Sequence, residues 1–365
     1  MRYFIQYPAG TSALVTDAMT HFVEEFRAEY QDDSALLFHS TSSLERVASI
    51  PFAKNAFAVI GETRRGDLGT NVARLADSLR DVRFPALPGP RARGFRLMVH
   101  VDGELTSVAA GPKRELEHTV SSGTGLRLEA GGRGEEYWVI GRLDLDHLLF
   151  CARLPKPPRP AKARGALSYE LSSMLVLASE PHPDDTFLDP FAGSGSFVDA
   201  RLGRPAREII YSDVDLAAHR EHLSPEVRHD PRVRLLAEDA MTLPSLADGS
   251  VDVVVTDPPW GEHEELPVPY EEFARTACVS LARVLHPERG RYVLLCNRRG
   301  TAAFAEALEA AGLPVRASHD ILVNGHPATV FTGTRSPRAT PAGPTPRPLL
   351  LGLPTYRRAL DRFTS

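Results

Sequence analysis

Apolar residues are spaced in two ways along this chain, and the change of spacing divides it. Before about residue 153, short alternating runs are interleaved with helical spacings. Residues 2–7, 34–40, 56–61, 95–101, 136–140 and 148–153 read as strands. Val15, Met19, Phe22, Val23 and Phe26 follow helical spacing and predict a helix over 13–30; further helices are predicted over 44–49, 68–79 and 114–122. Strands and helices in this irregular order describe an α+β region rather than a repeating βαβ array.

After residue 165 the pattern becomes regular. A helix over 166–179 leads into apolar runs at 186–189, 207–213, 233–236, 251–255 and 291–297. Continuous rather than alternating apolar runs suit strands buried on both faces of a parallel sheet. Helical spacings at 271–285 and 302–311 fit between and after the later strands, Gly312 is placed to end the second helix, and 316–323 with 329–334 suit a terminal hairpin. The second half therefore reads as an α/β doubly wound fold.

Composition refines the boundaries. Residues 154–165 are Pro-rich and basic without apolar periodicity, which reads as a semi-rigid linker; beyond residue 335 proline recurs too often for regular structure, apart from one short basic helix predicted over 356–363. The organisation expected is thus 1–153, a linker at 154–165, a domain at 166–334 and a Pro/Arg-rich tail at 335–365. With 42% apolar and 24% charged residues the chain can bury a sizeable core. It shows no apolar run of membrane-spanning length and no basic-then-apolar leader. Cys151, Cys278 and Cys296 lie far apart, without ligand spacing, so a cytoplasmic protein with no structural metal is expected. The net charge of −5 is uneven: +2 over 1–165, −12 over 166–334 and +5 over 335–365. An acidic second half does not attract phosphates unaided, so a nucleic-acid substrate would depend on the N-terminal half and the tail.

The chemistry lies at the strand ends. The strand at 251–255 runs into Asp257-Pro258-Pro259-Trp260-Gly261. Each proline fixes φ and lacks an N–H, which holds the neighbouring carbonyls without a ladder to consume them. The Asp257 carboxylate and the Pro258 carbonyl can accept both hydrogens of an exocyclic amine, while Trp260 offers a flat surface for a base; the plainer alternatives are a Pro-Pro turn capping a strand and a core aromatic. The strand at 186–189 ends in Asp189-Pro190-Phe191-Ala192-Gly193-Ser194-Gly195-Ser196, where glycines allow close backbone approach to a ligand. The next strand ends in Asp213, spaced to bind a ribose diol; the plainer alternative is a helix N-cap, a job for which Ser212 and Asp215 compete. The third leads into Asp239-Ala240, able to meet an adenine amino group, or a solvated turn acid. His263 and Glu264-Glu265 either shape a rim there or, as the plainer alternative, form a solvated acidic loop, and Asn297 ends the fifth strand at the same edge, where it could reach a substrate.

This order of Gly-rich turn, acid, acid and Asp-Pro-Pro-Trp along one sheet edge resembles the class I S-adenosylmethionine-dependent methyltransferases, and the fourth motif narrows the resemblance to enzymes that methylate amino nitrogens of bases or glutamine amides. The stretches 95–102, 113–122 and 137–150 resemble the ferredoxin-like plus THUMP region of RNA-modifying enzymes. Together the layout is similar to the THUMP-domain-containing tRNA guanine-N2 methyltransferases over roughly residues 1–333. It departs from them in carrying Trp260 for Tyr, Phe191-Ala192 for a Met-Cys-like pair and Asp199 for Glu. The resemblance implies a Rossmann-like class I methyltransferase sheet preceded by an α+β ferredoxin-like/THUMP-like region that grips RNA, with tRNA as partner. It implies S-adenosyl-L-methionine as cofactor, with Asp189, Gly193 and Gly195 around its methionine part, Asp213 at its ribose, and Asp239 and the Ala240 amide at its adenine. Asp257, Pro258 and Trp260 are the implied catalytic group. The alternatives are an amino-methyltransferase of DNA or of a nucleoside-like metabolite, and an RNA-binding protein with a vestigial methyltransferase domain.

Overall fold

The computed structural model describes residues 1–90, 92–129, 134–157, 166–261, 266 and 268–335. The expected basic linker therefore lies largely, and the expected tail helix and the His263 rim wholly, outside the described residues. By their contacts the residues form two compact units: residues 1–7 with the described part of 19–159, and residues 8–18 with the described part of 160–365. Residues 8–18 thus depart from the expected N-terminal domain of 1–153.

The first unit is one continuous nine-stranded sheet. Its strands run in the order Arg27–Gln31, Ala35–His39, Arg2–Gln6, Asn55–Arg64, His147–Arg153, Glu135–Gly141, Gly94–Val101, Glu104–Leu105, with Arg127–Leu128 pairing beside Gly94–Val101. The helices Leu68–Ser78 and Ala110–Thr124 supply Val72, Leu75, Leu116 and Val120 to a core with Phe95, Tyr137 and Phe150. The helix expected over 13–30 is corrected: it spans Ser12–Met19, and Arg27–Gln31 is an edge strand paired with Ala35–His39. Phe22 and Val23 are buried from a turn rather than from a helix face, and Glu25 takes a left-handed φ of 48° that ends any helical path. Helical spacing therefore continued past the helix because the core lies on that side of the loop.

The second unit alternates strand and helix. Its elements are α1 (Tyr169–Ala178), β1 (Thr186–Asp189), α2 (Ser196–Leu202), β2 (Glu208–Ser212), α3 (Leu216–His219), α4 (Pro225–His229), β3 (Val233–Leu236), β4 (Val253–Thr256), α5 (Tyr270–Val284), β5 (Arg291–Asn297), α6 (Thr301–Ala310), β6 (Val315–Val323) and β7 (His326–Thr334). The sheet order is β3-β2-β1-β4-β5-β7-β6. β1 to β5 are parallel, and β7 runs antiparallel to both β5 and β6. The order reverses between β1 and β4, so a crevice opens there at the carboxyl ends of the strands.

Successive strand residues feed opposite faces. Phe187, Ile209, Val253, Val255, Val293 and Leu295 pack with α1 and α2, while Leu188, Ile210, Val254, Leu294 and Cys296 pack with α5 and α6. Burial on both faces is why these strands read as unbroken apolar runs. The strand expected over 251–255 is shifted to Val253–Thr256: Val251 makes an isolated bridge to Leu285, and the buried Asp252 is an anchor. Its Oδ2 accepts the Thr186 amide at 2.9 Å and the Arg207 guanidinium at 3.1 Å, and its Oδ1 accepts from Arg289 at 2.5 Å. Asp185 plays the same part for β1, accepting from the fully buried Arg201 at 3.3 Å and from Arg291 of β5 at 2.7 Å. These two carboxylates tie the amino ends of the strands and leave the carboxyl ends for chemistry.

Candidate active site

The carboxyl ends of β1, β2, β3 and β4 border one cavity of about 1190 Å³. It is lined by every residue singled out at those ends except Gly195: Asp189, Gly193, Asp213, Asp239, Ala240, Asp257, Pro258 and Trp260. Its volume exceeds the roughly 300–1,000 Å³ of an ordinary ligand cleft.

The turn after β1 combines two left-handed glycines with two hydrogen bonds at Gly193. Gly193 adopts φ 45° and Gly195 φ 77°, both in the left-handed region that glycine enters without a Cβ penalty. The Gly193 amide donates to Asp213 Oδ2 at 2.8 Å, and the Tyr211 hydroxyl donates to the Gly193 carbonyl at 2.6 Å. No atom lies within 4 Å of the place a Gly193 Cβ would occupy. A ligand can therefore approach this backbone closely, which fits the nucleotide-bearing cofactor implied by the sequence. At Gly195 a Cβ would instead meet Leu223 Cδ2 at 3.0 Å; that glycine serves packing at the start of α2.

Asp213 does not cap the following helix; the carboxylate of Asp215 does, accepting the Ala218 amide at 3.3 Å. Asp213 Oδ1 accepts the Asp215 amide at 2.9 Å; each oxygen has further acceptor capacity, and the residue borders the cavity. Asp239 is exposed, with Oδ1 accepting the Met241 amide at 2.9 Å in a turn that leaves Ala240 buried at the cavity wall. Asp189 is almost wholly buried. Its Oδ1 accepts the Thr256 hydroxyl at 2.9 Å, which joins the ends of β1 and β4. Burial, reinforced by the neighbouring Asp257 and Asp213 charges against the Thr256 hydrogen bond, pushes its carboxyl well above the usual range.

At the end of β4 the Trp260 indole N–H donates to Asp257 Oδ1 at 2.7 Å. The ring is partly buried against the cluster that contains Phe197 and Val323, yet it also borders the cavity. Asn297 points inward rather than toward a ligand: its Oδ1 accepts the Gly300 amide at 2.7 Å and its Nδ2 donates to the Trp260 carbonyl at 3.2 Å. Asp199 ties α2 to α4 by accepting the Ser224 hydroxyl at 3.0 Å.

Sequence reasoning missed the apolar walls. Phe191, Met241, Leu266, Val268 and Phe273 line the cavity, with the Phe191 and Phe273 rings 5.8 Å apart. Leu167, Val323, Asn324 and His326 line it near Trp260. The last three flank the β6–β7 turn, where Asn324 at φ 52° and Gly325 at φ 90° make an Asn-Gly hairpin turn; that dipeptide was the signal available in the sequence. Among the described residues, the cavity lining contains six carboxylates (the sixth is Glu272) and neither Lys nor Arg.

Residues 157–200 and 225–326 match the UPF0020 family model, described as an RMKL-like methyltransferase domain. No curated protein matches the chain in sequence. Among solved structures, TrmN from Thermus thermophilus is similar with a TM-score of 0.70 at 21% identity, over 91% of this chain and 99% of that one. SMU.472, complexed with SAH, gives a TM-score of 0.62 at 12% identity over 91% and 97% of the two chains. A predicted N6-adenine-specific DNA methylase from Listeria monocytogenes gives 0.61 at 15% identity over 91% and 95%. At such identities these structures establish the fold, a class I methyltransferase fold with a mixed sheet, and the family model assigns the domain. The chain is an S-adenosylmethionine-dependent methyltransferase.

Proposed function

We propose that this enzyme methylates an exocyclic amino nitrogen of a nucleobase, most specifically guanine N2 in tRNA. The observation that carries the reading is the joining of Asp257 and Pro258 to the Gly193 turn in a single cavity. The Gly193 backbone would lie along the methionine part of the cofactor, with Asp189 and the Gly195 turn behind it. Asp213 would take the ribose hydroxyls, and Asp239 with the Ala240 amide the adenine, whose faces Phe191 and Met241 of the cavity wall would cover. When bound, S-adenosylmethionine supplies a methyl group activated by its sulfonium. The chain's own residues then prepare the acceptor. An exocyclic amine is a poor nucleophile because its lone pair is delocalised into the ring. Hydrogen bonds from that amine to the Asp257 carboxylate and the Pro258 carbonyl favour a pyramidal nitrogen with its lone pair directed away from the ring. Positioning and charge complementarity do most of the work. A strong base is unnecessary, since the nitrogen becomes acidic once it carries the methyl and a positive charge. A base in a duplex reaches such a site only by flipping out of its stack, and stacking on Trp260 would contribute about 1–3 kcal/mol.

We assign the N-terminal unit, as a ferredoxin-like/THUMP-like region, to gripping the RNA. The resemblance of its sequence supports this, as does a structural match to TrmN that runs over 91% of the chain. The absence of Lys and Arg from the described cavity lining supports it too, because phosphate contacts must then be made elsewhere. The same acidic lining favours a second reading, methylation of a nucleoside-like metabolite or of DNA. The test is transfer of labelled methyl from S-adenosylmethionine to bulk unmodified tRNA, to duplex DNA and to free nucleosides in parallel. Label in tRNA alone supports the main reading; label in DNA or nucleosides alone replaces it with the second.

A further inference from the structure

The tryptophan of the Asp-Pro-Pro-Trp turn stands in a chain of three hydrogen bonds that ends on the carboxylate. The Gly300 amide donates to Asn297 Oδ1 at 2.7 Å, Asn297 Nδ2 donates to the Trp260 carbonyl at 3.2 Å, and the Trp260 Nε1–H donates to Asp257 Oδ1 at 2.7 Å. Asn297 is only 3% exposed, and it sits at the last residue of β5, next to β4 in the sheet. The turn is thereby bolted to the neighbouring strand at its carbonyl and to the carboxylate at its indole.

We infer that Trp260 and Asn297 are positioning residues for methyl transfer: the indole N–H fixes the rotamer of Asp257, and Asn297 fixes the turn that carries the indole. This rests on the reading of Asp257 as the acceptor of the substrate amine and assigns Trp260 a role beyond its stacking face. The chemistry is specific to an N–H at this position. A carboxylate can accept several hydrogen bonds, so the indole can hold Oδ1 while the carboxylate still receives the amine. A phenylalanine would keep an aromatic face and lose the donor.

The consequences differ from those of a stacking residue. Trp260→Phe should keep KM for the nucleic acid within a few-fold and lower kcat about 10- to 100-fold, the loss expected when one hydrogen bond to a charged group is removed. Asn297→Asp separates the two functions of that side chain. The carboxylate still accepts from the Gly300 amide but has no N–H for the Trp260 carbonyl, so kcat should fall in the same direction with S-adenosylmethionine affinity unchanged.

A second measurement needs no substrate. The chain has two tryptophans, and the Trp138 indole donates to Glu136 at 2.9 Å in the other unit. In the full-length protein labelled with ¹⁵N at tryptophan, two indole N–H signals are expected. Asp257→Asn should shift the Trp260 signal strongly and leave the Trp138 signal in place, and Asn297→Asp should shift the same signal less. An indole signal of Trp260 indifferent to Asp257→Asn overturns the inference, as does a Trp260→Phe enzyme with wild-type kcat. If wild-type protein transfers no methyl to tRNA, DNA or nucleosides, the proposed function fails, while the indole shift still decides whether this chain of hydrogen bonds holds Asp257.

Discussion

Asp189 and Asp257 are both acids at the ends of adjacent strands, and their surroundings give them different work. Asp189 is almost wholly buried at the cavity wall with the Thr256 hydroxyl as a donor, and burial raises its pKa. A carboxyl whose folded pKa lies above the usual 3.8 stabilises the fold fully below that value and loses its contribution as pH rises through the folded pKa. Asp189→Asn cannot ionise, and its amide oxygen can still accept from Thr256. The variant should therefore match the wild type in Tm near pH 4 and exceed it increasingly toward pH 8 in cofactor-free protein; a Tm difference that does not change with pH would contradict this. Asp257→Ala, by contrast, should abolish turnover and leave S-adenosylmethionine affinity by calorimetry within a few-fold; a lost cofactor site would remove its assigned role. Both acids were legible in the sequence as strand-end residues. Which of them is buried was not, because burial depends on what the next strand and turn place above it. The indole hydrogen bond of Trp260 was equally hidden: spacing gives the residue type but not the direction of its N–H.

At the scale of elements, the strand ends divide into an anchored edge and a reactive one. Asp185 holds β1 to Arg201 of α2 and to Arg291 of β5, with both guanidinium groups largely buried. Removing one partner of a buried pair leaves charge uncompensated, so Asp185→Ala should destabilise the second unit by about 3–5 kcal/mol, read as a lower denaturant midpoint. The turn on the reactive edge behaves otherwise. Gly193→Ala meets no atom in the fold and should lower Tm only modestly while weakening cofactor binding, whereas Gly195→Ala meets Leu223 and should lower Tm more; equal effects on cofactor affinity would contradict the distinction. The strands of the second unit were legible because burial on both faces leaves an apolar run. Asp252 broke the expected 251–255 strand because an internal carboxylate there serves as an anchor. The helix expected over 13–30 was overextended because a loop facing a core keeps the apolar spacing of the helix before it.

For the whole molecule, the division of charge and of units bears on the substrate. The acidic half contains the cavity at the strand ends, and among the described residues no Lys or Arg lines it. Contacts to a phosphate backbone then depend on the remainder of the chain, and they weaken as counterions compete. Raising salt should increase KM for tRNA steeply while S-adenosylmethionine affinity changes little; a salt-independent KM would favour a small uncharged substrate. No helix among the described residues is long and apolar enough to cross a membrane. The packing of residues 8–18 with the second unit was not legible in the sequence, since membership of a unit is set by contacts distant in sequence. The most direct measurement is the identity of the methylated atom. Unmodified tRNA, incubated with the enzyme and methyl-labelled S-adenosylmethionine, would be digested to nucleosides and resolved by mass spectrometry. The account predicts label in N2-methylguanosine that disappears with Asp257→Ala. Label on a ring carbon or a ribose oxygen, or label that survives Asp257→Ala, would contradict it.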